Sequence, residues 1–216
     1  MFDRFQEVEG FTFQQVLLCL ATVLMAFSLA ECFGRGFDIF PRMIRSGEFD
    51  RVLVRPRHEI IQVLASHMEF SRLGRVVQAI LVFWYAIPAS GVNWTFDKIA
   101  TLVLMVVCGS IIFFCLFLIN AAFAFFTIEG LEFMNIFTDG GREFGRYPFS
   151  VYGEEVLKFL TYIIPLALFQ YYPLLYLLER EQSIFYMLTP VLGLFFAIPA
   201  YAFWRFGLGR YTSTGS

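Results

Sequence analysis

The sequence offers few side chains that could take part in catalysis, and their spacing does not fit an enzyme site. The chain has two lysines, Lys98 and Lys158, and neither follows a glycine, so the sequence lacks the Gly-Lys-Ser/Thr end of an ATP-binding phosphate loop. The two histidines, His58 and His67, lie nine residues apart and do not share the i, i+4 spacing of a helical metal pair. We therefore predict no catalytic residue, no metal site and no cofactor bound by this chain.

A second group of candidates consists of polar side chains in or at the ends of long apolar segments. Glu31 and Glu129 each lie at the end of such a segment, where a carboxylate could relay protons but can also reach water at little cost. We favour the structural role for both. Gln78, Asn120 and Gln170 lie within apolar segments, and such groups most often form hydrogen bonds between helices, worth roughly 0.6–2 kcal/mol each. Lining a translocation path through a membrane is the alternative for these three residues.

A short part of the longest hydrophilic stretch has a helical pattern with defined ends. Gly47 permits a sharp break in the chain, and Pro56 prevents a helix from continuing. Between them, Phe49, Val52 and Leu53 fall on one side of a short helix. The charged residues of the other side are Glu48, Asp50, Arg51 and Arg55. Such a helix can lie on a membrane surface with its charges toward the cytosol. From composition alone, it could equally be a basic interfacial helix whose only role is to fix the orientation of the protein in the membrane.

These residues must be positioned by helices that cross a membrane. The chain of 216 residues is 58% hydrophobic and only 16% charged, whereas an ordinary soluble domain has about 25% charged residues. Five stretches of at least 20 residues lack Asp, Glu, Lys and Arg, and each is long enough to cross the ~30 Å hydrocarbon core as a helix. They are residues 10–30, 76–96, 99–128, 159–178 and 182–204. We predict an all-α, polytopic transmembrane bundle that forms a single domain over residues 1–216.

The distribution of basic residues predicts the orientation of the bundle. Thirteen of the 16 lysines and arginines lie in the 34–75 loop, in the loop between the third and fourth stretches, and in the C-terminal tail. Because basic residues are retained on the cytoplasmic side, we place these segments in the cytoplasm and the chain in the plasma (inner) membrane. The N-terminus is then outside, although no apolar signal precedes it. We therefore expect a further span upstream of Met1, which would make six; the alternative is that the short N-terminus crosses unaided.

Several motifs resemble those of the permeases of ABC type-2 exporters, and of one bacterial sub-branch in particular. The loop motif R-x-G-E-x-D-x-x-L-x-R-P is matched by Arg45, Gly47, Glu48, Asp50, Leu53, Arg55 and Pro56. The motif T-I-E-G…G-G-R-E-F…Y-P…Y is matched by residues 127–130 and 140–144 and by Tyr147, Pro148 and Tyr152. A Y-Y-P…Y-L-L motif is matched by residues 171–173 and 176–178, and a C-terminal motif by residues 204–207 and 211–216. The motifs keep their order from about residue 10 to the end, so chance is a poor explanation.

The resemblance implies a half-transporter of six spans that pairs with itself or with a sister permease and binds two cytoplasmic ABC ATPases. ATP and Mg²⁺ would bind to those ATPases and not to this chain. The residues from Gly47 to Pro56 would form the coupling helix that contacts the ATPase. We expect export, because no feature of the sequence indicates docking of an external solute-binding protein. The resemblance does not identify the substrate.

A membrane subunit that transports nothing is the competing interpretation. Its basic loop would bind anionic membrane lipid and anchor an assembly. Co-purification of an ATPase would distinguish the two interpretations. A net charge of −2 gives no reason to expect a nucleic-acid partner. An ion-coupled secondary transporter would need internal repeat symmetry and intramembrane ion ligands, and the sequence shows neither.

Overall fold

Helices dominate the described part of the protein. The computed structural model describes residues 7–34, 36–67, 73–127 and 132–213. Its helices are α1 (Phe13–Gly34), α2 (Gly36–Arg45), α3 (Glu48–Val54), α4 (Glu59–Ala65), α5 (Leu73–Ala89), α6 (Phe96–Phe123), α7 (Glu132–Phe144), α8 (Glu154–Tyr162), α9 (Leu166–Leu177), α10 (Ile184–Gly193) and α11 (Ala197–Arg210). Two 3₁₀ turns (Phe149–Tyr152 and Leu194–Phe196) and an antiparallel hairpin of β1 (Glu7–Val8) and β2 (Phe11–Thr12) complete the described elements. The predicted all-α class is confirmed.

Three of the helical segments are long and apolar enough to cross a membrane. They are Phe13–Arg45, Phe96–Phe123 and Ile184–Arg210, with 33, 28 and 27 residues. A fourth candidate exists if α8 and α9 count as one bent span. The helix α5 overlaps the predicted second span over residues 76–89, but its 17 described residues are fewer than the ~20 that a membrane crossing usually needs. The protein is therefore a multi-pass membrane protein whose described residues contain three or four candidate spans, and the count of five stays a prediction.

The stretch predicted as a single span at 159–178 consists of two helices. The axes of α8 and α9 meet at an angle of 113°, and residues 163–165 separate them. Pro165 stands directly before α9 with φ −74° and ψ 44°. Proline has no N–H to donate and disfavours helical geometry at the residue before it, so a helix does not run straight through this position.

The segment after α6 enters the bundle, although the sequence predicts a loop there. Gly145, just beyond α7, packs so closely against α1 that a Cβ in its place would lie 2.8 Å from Val23 Cγ1. Val23 lies near the midpoint of the 22-residue α1, about 15 Å from its first residue at ~1.5 Å per residue. The non-helical turn after α7 therefore lies at the depth of the middle of α1. We call residues 132–148 the re-entrant segment.

A buried glutamine pairs with the backbone of this turn. Gln170 of α9 is fully buried, and its Nε2 donates to the carbonyl oxygens of Tyr147 (2.8 Å) and Gly145 (3.4 Å). The same Nε2 lies 2.7 Å from Cys19 Sγ of α1. Inside a membrane each backbone carbonyl needs a partner within the protein. Gln170 therefore replaces hydrogen bonds that a continuous helix would have supplied.

The helices α1 and α6 form the centre of the bundle. α1 packs against α5 and α6, and α6 packs in turn against α9, α10 and α11. Gly109 of α6 allows the closest approach, because a Cβ there would lie 2.6 Å from the ring of Phe169 and 3.0 Å from Ala26 Cβ. Membrane helices associate by such close packing, since lipid supplies no hydrophobic force between them. The three helices α1, α6 and α9 thus meet at one glycine.

The first turn of α6 and the turn after α9 are tied together beside the N-terminal hairpin. Lys98 Nζ lies 2.5 Å from Glu179 Oε1, and the lysine side chain is 8% exposed while the glutamate is 55% exposed. Arg180 donates to the carbonyl of Gly10 and lies 3.9 Å from the ring centroid of Phe11. Charged side chains therefore connect α6, the turn after α9 and the N-terminal hairpin at this end of the bundle.

Replacing Glu179 should destabilise the protein more than replacing Lys98. Glu179→Gln leaves a buried ammonium without its carboxylate, at a cost of about 1–2 kcal/mol, whereas Lys98→Met leaves an exposed carboxylate that water solvates. The measurement is the free energy of unfolding of each purified variant in detergent micelles. Equal losses in the two variants would contradict the argument from burial.

Candidate functional site

The short helix α3 begins and ends where the sequence predicts. Gly47 is left-handed (φ 70°), which lets the chain leave α2 and turn directly into α3. After Val54, Arg55 is extended (φ −82°, ψ 138°), as the residue before a proline usually is. Pro56 then prevents a further helical turn. Backbone chemistry therefore makes α3 a separate element with fixed ends.

One side of α3 is anchored in aromatic side chains from other parts of the chain. Phe49 is fully buried, and its ring centroid lies 4.9 Å from that of Phe40 and 5.7 Å from that of Phe125. The ring of Tyr211 lies 5.2 Å from Phe49. Trp204, also fully buried, lies 4.9 Å from Phe40 and 5.2 Å from Phe125. We call these five residues the aromatic hub.

The aromatic hub joins α3 to all three long apolar segments. Phe40 belongs to α2, the continuation of α1; Phe125 follows the end of α6. Trp204 lies in α11 and Tyr211 directly follows it. A displacement of α3 would therefore be transmitted to one end of each of these three segments, because close-packed interiors transmit strain.

Asp50 ties α3 to the C-terminal tail. Its Oδ1 accepts a hydrogen bond from Tyr211 OH (2.9 Å), and its Oδ2 accepts one from Ser213 Oγ (2.7 Å). Burial raises the pKa of Tyr211 to about 12, and the hydrogen bond to Asp50 and the charge of Asp50 act in the same direction. Tyr211 therefore remains a neutral donor at physiological pH.

The C-terminal end of α3 is open. Leu53 is 44% exposed and Val54 is 85% exposed. The sequence predicts that Leu53 shares one apolar side with Phe49 and Val52, but the structure buries only the latter two. The hub covers the first turn of this seven-residue helix, and Leu53 lies in the last turn, beyond it. Two apolar side chains thus remain available to a partner.

A groove of 650 Å³ lies between α3 and α4. Its apolar lining includes Met43, Val52, Pro56 and Ile61, and its charged lining consists of Glu48, Arg51, Arg55 and Arg57. Gln62 of α4 holds the two helices together, because its Nε2 donates to Val52 O (3.0 Å) and to Arg57 O (2.9 Å). Apolar area bordered by arginines is typical of a surface that binds another protein.

Close backbone contact fixes α4 on α2. A Cβ at Gly36 would lie 2.2 Å from the carbonyl oxygen of Val63, an approach that only glycine permits. Val63 itself is fully buried. Because α2 also supplies Phe40 to the aromatic hub, the groove and the hub rest on the same helix.

The three polar residues predicted for a translocation path have different surroundings. Gln170 is buried against the re-entrant segment, with its Nε2 2.8 Å from Tyr147 O. Asn120 lies on α6, and its buried Oδ1 has no donor among the described residues. Gln78 is exposed and borders a pocket of 390 Å³. The charged residues of that pocket are Arg75, Arg142, Glu143 and Arg146.

The structure describes one of the two carboxylates at the ends of apolar segments, Glu31, but not the other, Glu129. Glu31 is buried, and its Oε2 lies 2.5 Å from Arg75 Nη1, an ion pair between α1 and α5. This geometry agrees with the structural role favoured for Glu31. Glu129 lies outside the described residues.

Sequence reasoning did not find the contacts of the C-terminal tail with α3. Tyr211 lies 161 residues from Asp50 along the chain, and no local pattern links the two. The signal that could have found the aromatic hub is the clustering of large aromatic residues, such as Phe40, Phe125 and Trp204, near the ends of apolar stretches.

Comparison with known proteins identifies the family. The model of a family described as ABC-2 family transporter protein matches residues 1–215. No curated protein and no solved structure matches the chain. The match covers nearly the whole chain and agrees with its multi-pass helical architecture. The chain therefore belongs to the ABC-2 family of transporter proteins, whose permeases are membrane subunits and not themselves ATPases.

Proposed function

We propose that this chain is the permease subunit of an ATP-driven exporter and that a partner ABC ATPase docks on α3 and on the groove beside it. The observation that supports the proposal best is that Phe49 in the first turn of α3 is buried while the last two residues of the helix are exposed. Phe49 is fully buried in the aromatic hub, while Leu53 and Val54, in the same helix, are 44% and 85% exposed. A coupling element needs one part that is packed rigidly against the permease and another part that is exposed to its partner.

The mechanism is alternating access, and the energy for it comes from the partner ATPases and not from this chain. The partner ATPases bind ATP and Mg²⁺, and closure of their dimer pushes α3. Because Phe49 packs against Phe40 and Phe125, the push reaches α2 and the end of α6 directly. Trp204 passes it to α11 through its contacts with the same two rings. The helices then change their angles together and open a central path to the other side of the membrane.

The apolar and charged residues of the site have different roles in docking. Leu53 and Val54 would supply buried contact area, which usually provides most of the binding energy in an interface. The charged residues at positions 48, 51, 55 and 57 would set the orientation and rate of association. Glu48 among the arginines also gives the surface a charge pattern that a partner must match. We therefore expect apolar anchors to matter more than any one of the arginines.

The assembly has two permeases, two ATPases and surrounding lipid. The basic residues of the 34–75 loop and of the tail favour a cytoplasmic location for α3, the groove and the C-terminus. Since ABC ATPases act as dimers, the second permease is another copy of this chain or a sister chain. Export is favoured because the loop and tail motifs resemble those of type-2 exporters.

Val54→Asp should abolish co-purification of the ATPase. A carboxylate at this 85% exposed position would be desolvated without a partner on docking, which should weaken binding at least about tenfold. The measurement is recovery of a co-expressed ABC ATPase with the tagged permease in detergent. Ser46→Asp is the matched control, because Ser46 is also exposed but precedes α3 and lies eight residues before Val54 in the sequence.

Two outcomes would favour the anchoring interpretation instead. One is that no ATPase co-purifies with the unmodified chain. The other is that Val54→Asp retains the ATPase but lowers binding of α3 peptides to vesicles containing phosphatidylglycerol. Exposed apolar residues beside arginines also fit an anionic membrane surface, so this second measurement separates the two functions.

A further inference from the structure

A charged pocket lies at the depth of the middle of α1. It is lined by Leu24 of α1, by Arg75 and Gln78 of α5, and by Arg142, Glu143 and Arg146 in and after α7. Leu24 is eleven residues from the start of α1, about 16 Å along a helix of about 33 Å. The guanidinium of Arg142 lies 4.9 Å from the ring centroid of Phe27, one turn further along α1. Charged groups within a membrane-spanning bundle usually face its interior or a water-filled cavity, and they are candidates for functional sites.

The charges of the pocket favour an anion. Its lining holds three guanidinium groups and one carboxylate. A second carboxylate, Glu31, lies behind Arg75 and is almost fully buried, so it neutralises that arginine from the protein side. Asp139 lies 3.6 Å from Arg142 and is mostly exposed. The groups that face the cavity are therefore mainly donors.

Glu143 shows how an anion fits between two of these arginines. Its Oε1 lies 2.9 Å from Arg142 Nη2, and its Oε2 lies 2.6 Å from Arg146 Nη2. One carboxylate thus bridges two guanidinium groups. Each guanidinium has five N–H donors in a planar fork, and these ion pairs engage only one terminal nitrogen of each arginine. The remaining donors can bind a further anion or exchange Glu143 for it.

We propose that this pocket binds a phosphate-type anion through Arg75, Arg142 and Arg146, in competition with the carboxylate of Glu143. Phosphate presents several oxygens to planar guanidinium forks, which bind it by paired, charge-assisted hydrogen bonds. Gln78 supplies an uncharged donor at the same cavity. The ligand is either a soluble phosphate compound or the headgroup of a phospholipid. Binding of the anion does not depend on the proposed function of the chain. The further idea that the bound anion is the exported solute does rest on that proposed function.

The first arm of the test measures binding of radiolabelled pyrophosphate to the purified full chain by equilibrium dialysis in detergent. Arg146→Gln should weaken binding about tenfold, because a charge-assisted contact is lost. Glu143→Gln should strengthen binding several-fold, because the competing carboxylate is removed. Arg210→Gln makes the same charge change at an exposed position that lines neither the pocket nor the groove, and it should leave binding within about twofold of the unmodified chain.

The second arm measures binding of spin-labelled phosphatidylglycerol, compared with spin-labelled phosphatidylcholine, to the chain reconstituted in phosphatidylcholine vesicles. The same three variants should change phosphatidylglycerol binding in the same directions if the ligand is a lipid headgroup. A response in either arm supports the proposal and identifies the source of the phosphate. The proposal is overturned if neither probe binds, or if Glu143→Gln weakens binding as Arg146→Gln does, which a purely structural ion-pair network predicts. Neither arm contains an ATPase, so failure here is distinct from failure of the coupling proposal.

Discussion

Phe49→Ala should destabilise the protein by about 3–5 kcal/mol, whereas Leu53→Ala should change its stability by less than about 0.5 kcal/mol. Phe49 is fully buried, and its removal leaves a cavity among Phe40, Phe125 and Tyr211 that rigid aromatic neighbours cannot fill. Leu53 is 44% exposed and contributes little packing in the isolated chain. The measurement is the free energy of unfolding of the purified variants in detergent micelles.

The same pair of variants distinguishes the role of the buried part of α3 from the role of its exposed docking surface. With the ATPase present, Leu53→Ala should weaken docking without loss of stability, and Phe49→Ala should uncouple ATP hydrolysis from transport even when docking is restored by excess ATPase. Phe49→Leu is the control, because it keeps most of the side-chain volume and should recover part of both the stability and the coupling. Full transport-stimulated ATPase activity in Phe49→Ala would contradict the role of the aromatic hub. Arg51→Ala, which removes a single charged group at the groove, should have the smallest effect of the three alanine variants.

Local chemistry explains which parts of the fold the sequence predicts. Long uncharged runs identify α1 and α6, because lipid accepts only helices with apolar surfaces. Gly47 and Pro56 predict the ends of α3, since each acts on the backbone at its own position. The break before Pro165, within a stretch predicted as one span, also results from the backbone chemistry of proline. The angle of 113° between α8 and α9 depends on what α8 packs against and is not a local property.

Tertiary contacts explain what the sequence does not predict. Arg142 and Arg146 count as basic loop residues in a topology argument, but they belong to a segment that reaches the middle of α1. That placement depends on Gly145 and Gln170, which lie on different helices or turns and become neighbours only in the fold. In the same way, the roles of Phe49 and Leu53 diverge because the aromatic hub covers one turn of α3 and not the next. Pattern reasoning selects the candidate site, and packing decides which of its residues face outward.

Gln170→Leu should lower the free energy of unfolding by about 1–3 kcal/mol, because one backbone carbonyl loses its donor and a second keeps only the weak donor Cys19 Sγ, at 3.6 Å. The carbonyls are those of Tyr147 and Gly145, at 2.8 Å and 3.4 Å from Gln170 Nε2. Leucine has nearly the volume of glutamine, so the loss reports on hydrogen bonding and not on a cavity. Gln78→Leu is the matched control: the same substitution on the exposed side of α5 should change stability by less than about 0.5 kcal/mol.

The two glutamines should also differ in how they affect the charged pocket. Gln170→Leu should release the turn after α7 from α9, and pyrophosphate binding should fall because Arg142 and Arg146 lose their fixed positions relative to Arg75. Gln78→Leu should weaken the same binding only about two- to threefold, by removal of one uncharged donor, in a protein of unchanged stability. The comparison therefore assigns Gln170 to the support of the re-entrant segment and Gln78 to the surface of the cavity. Equal stability of the two leucine variants would show that the carbonyls find other donors, and the support by Gln170 would then have to be abandoned.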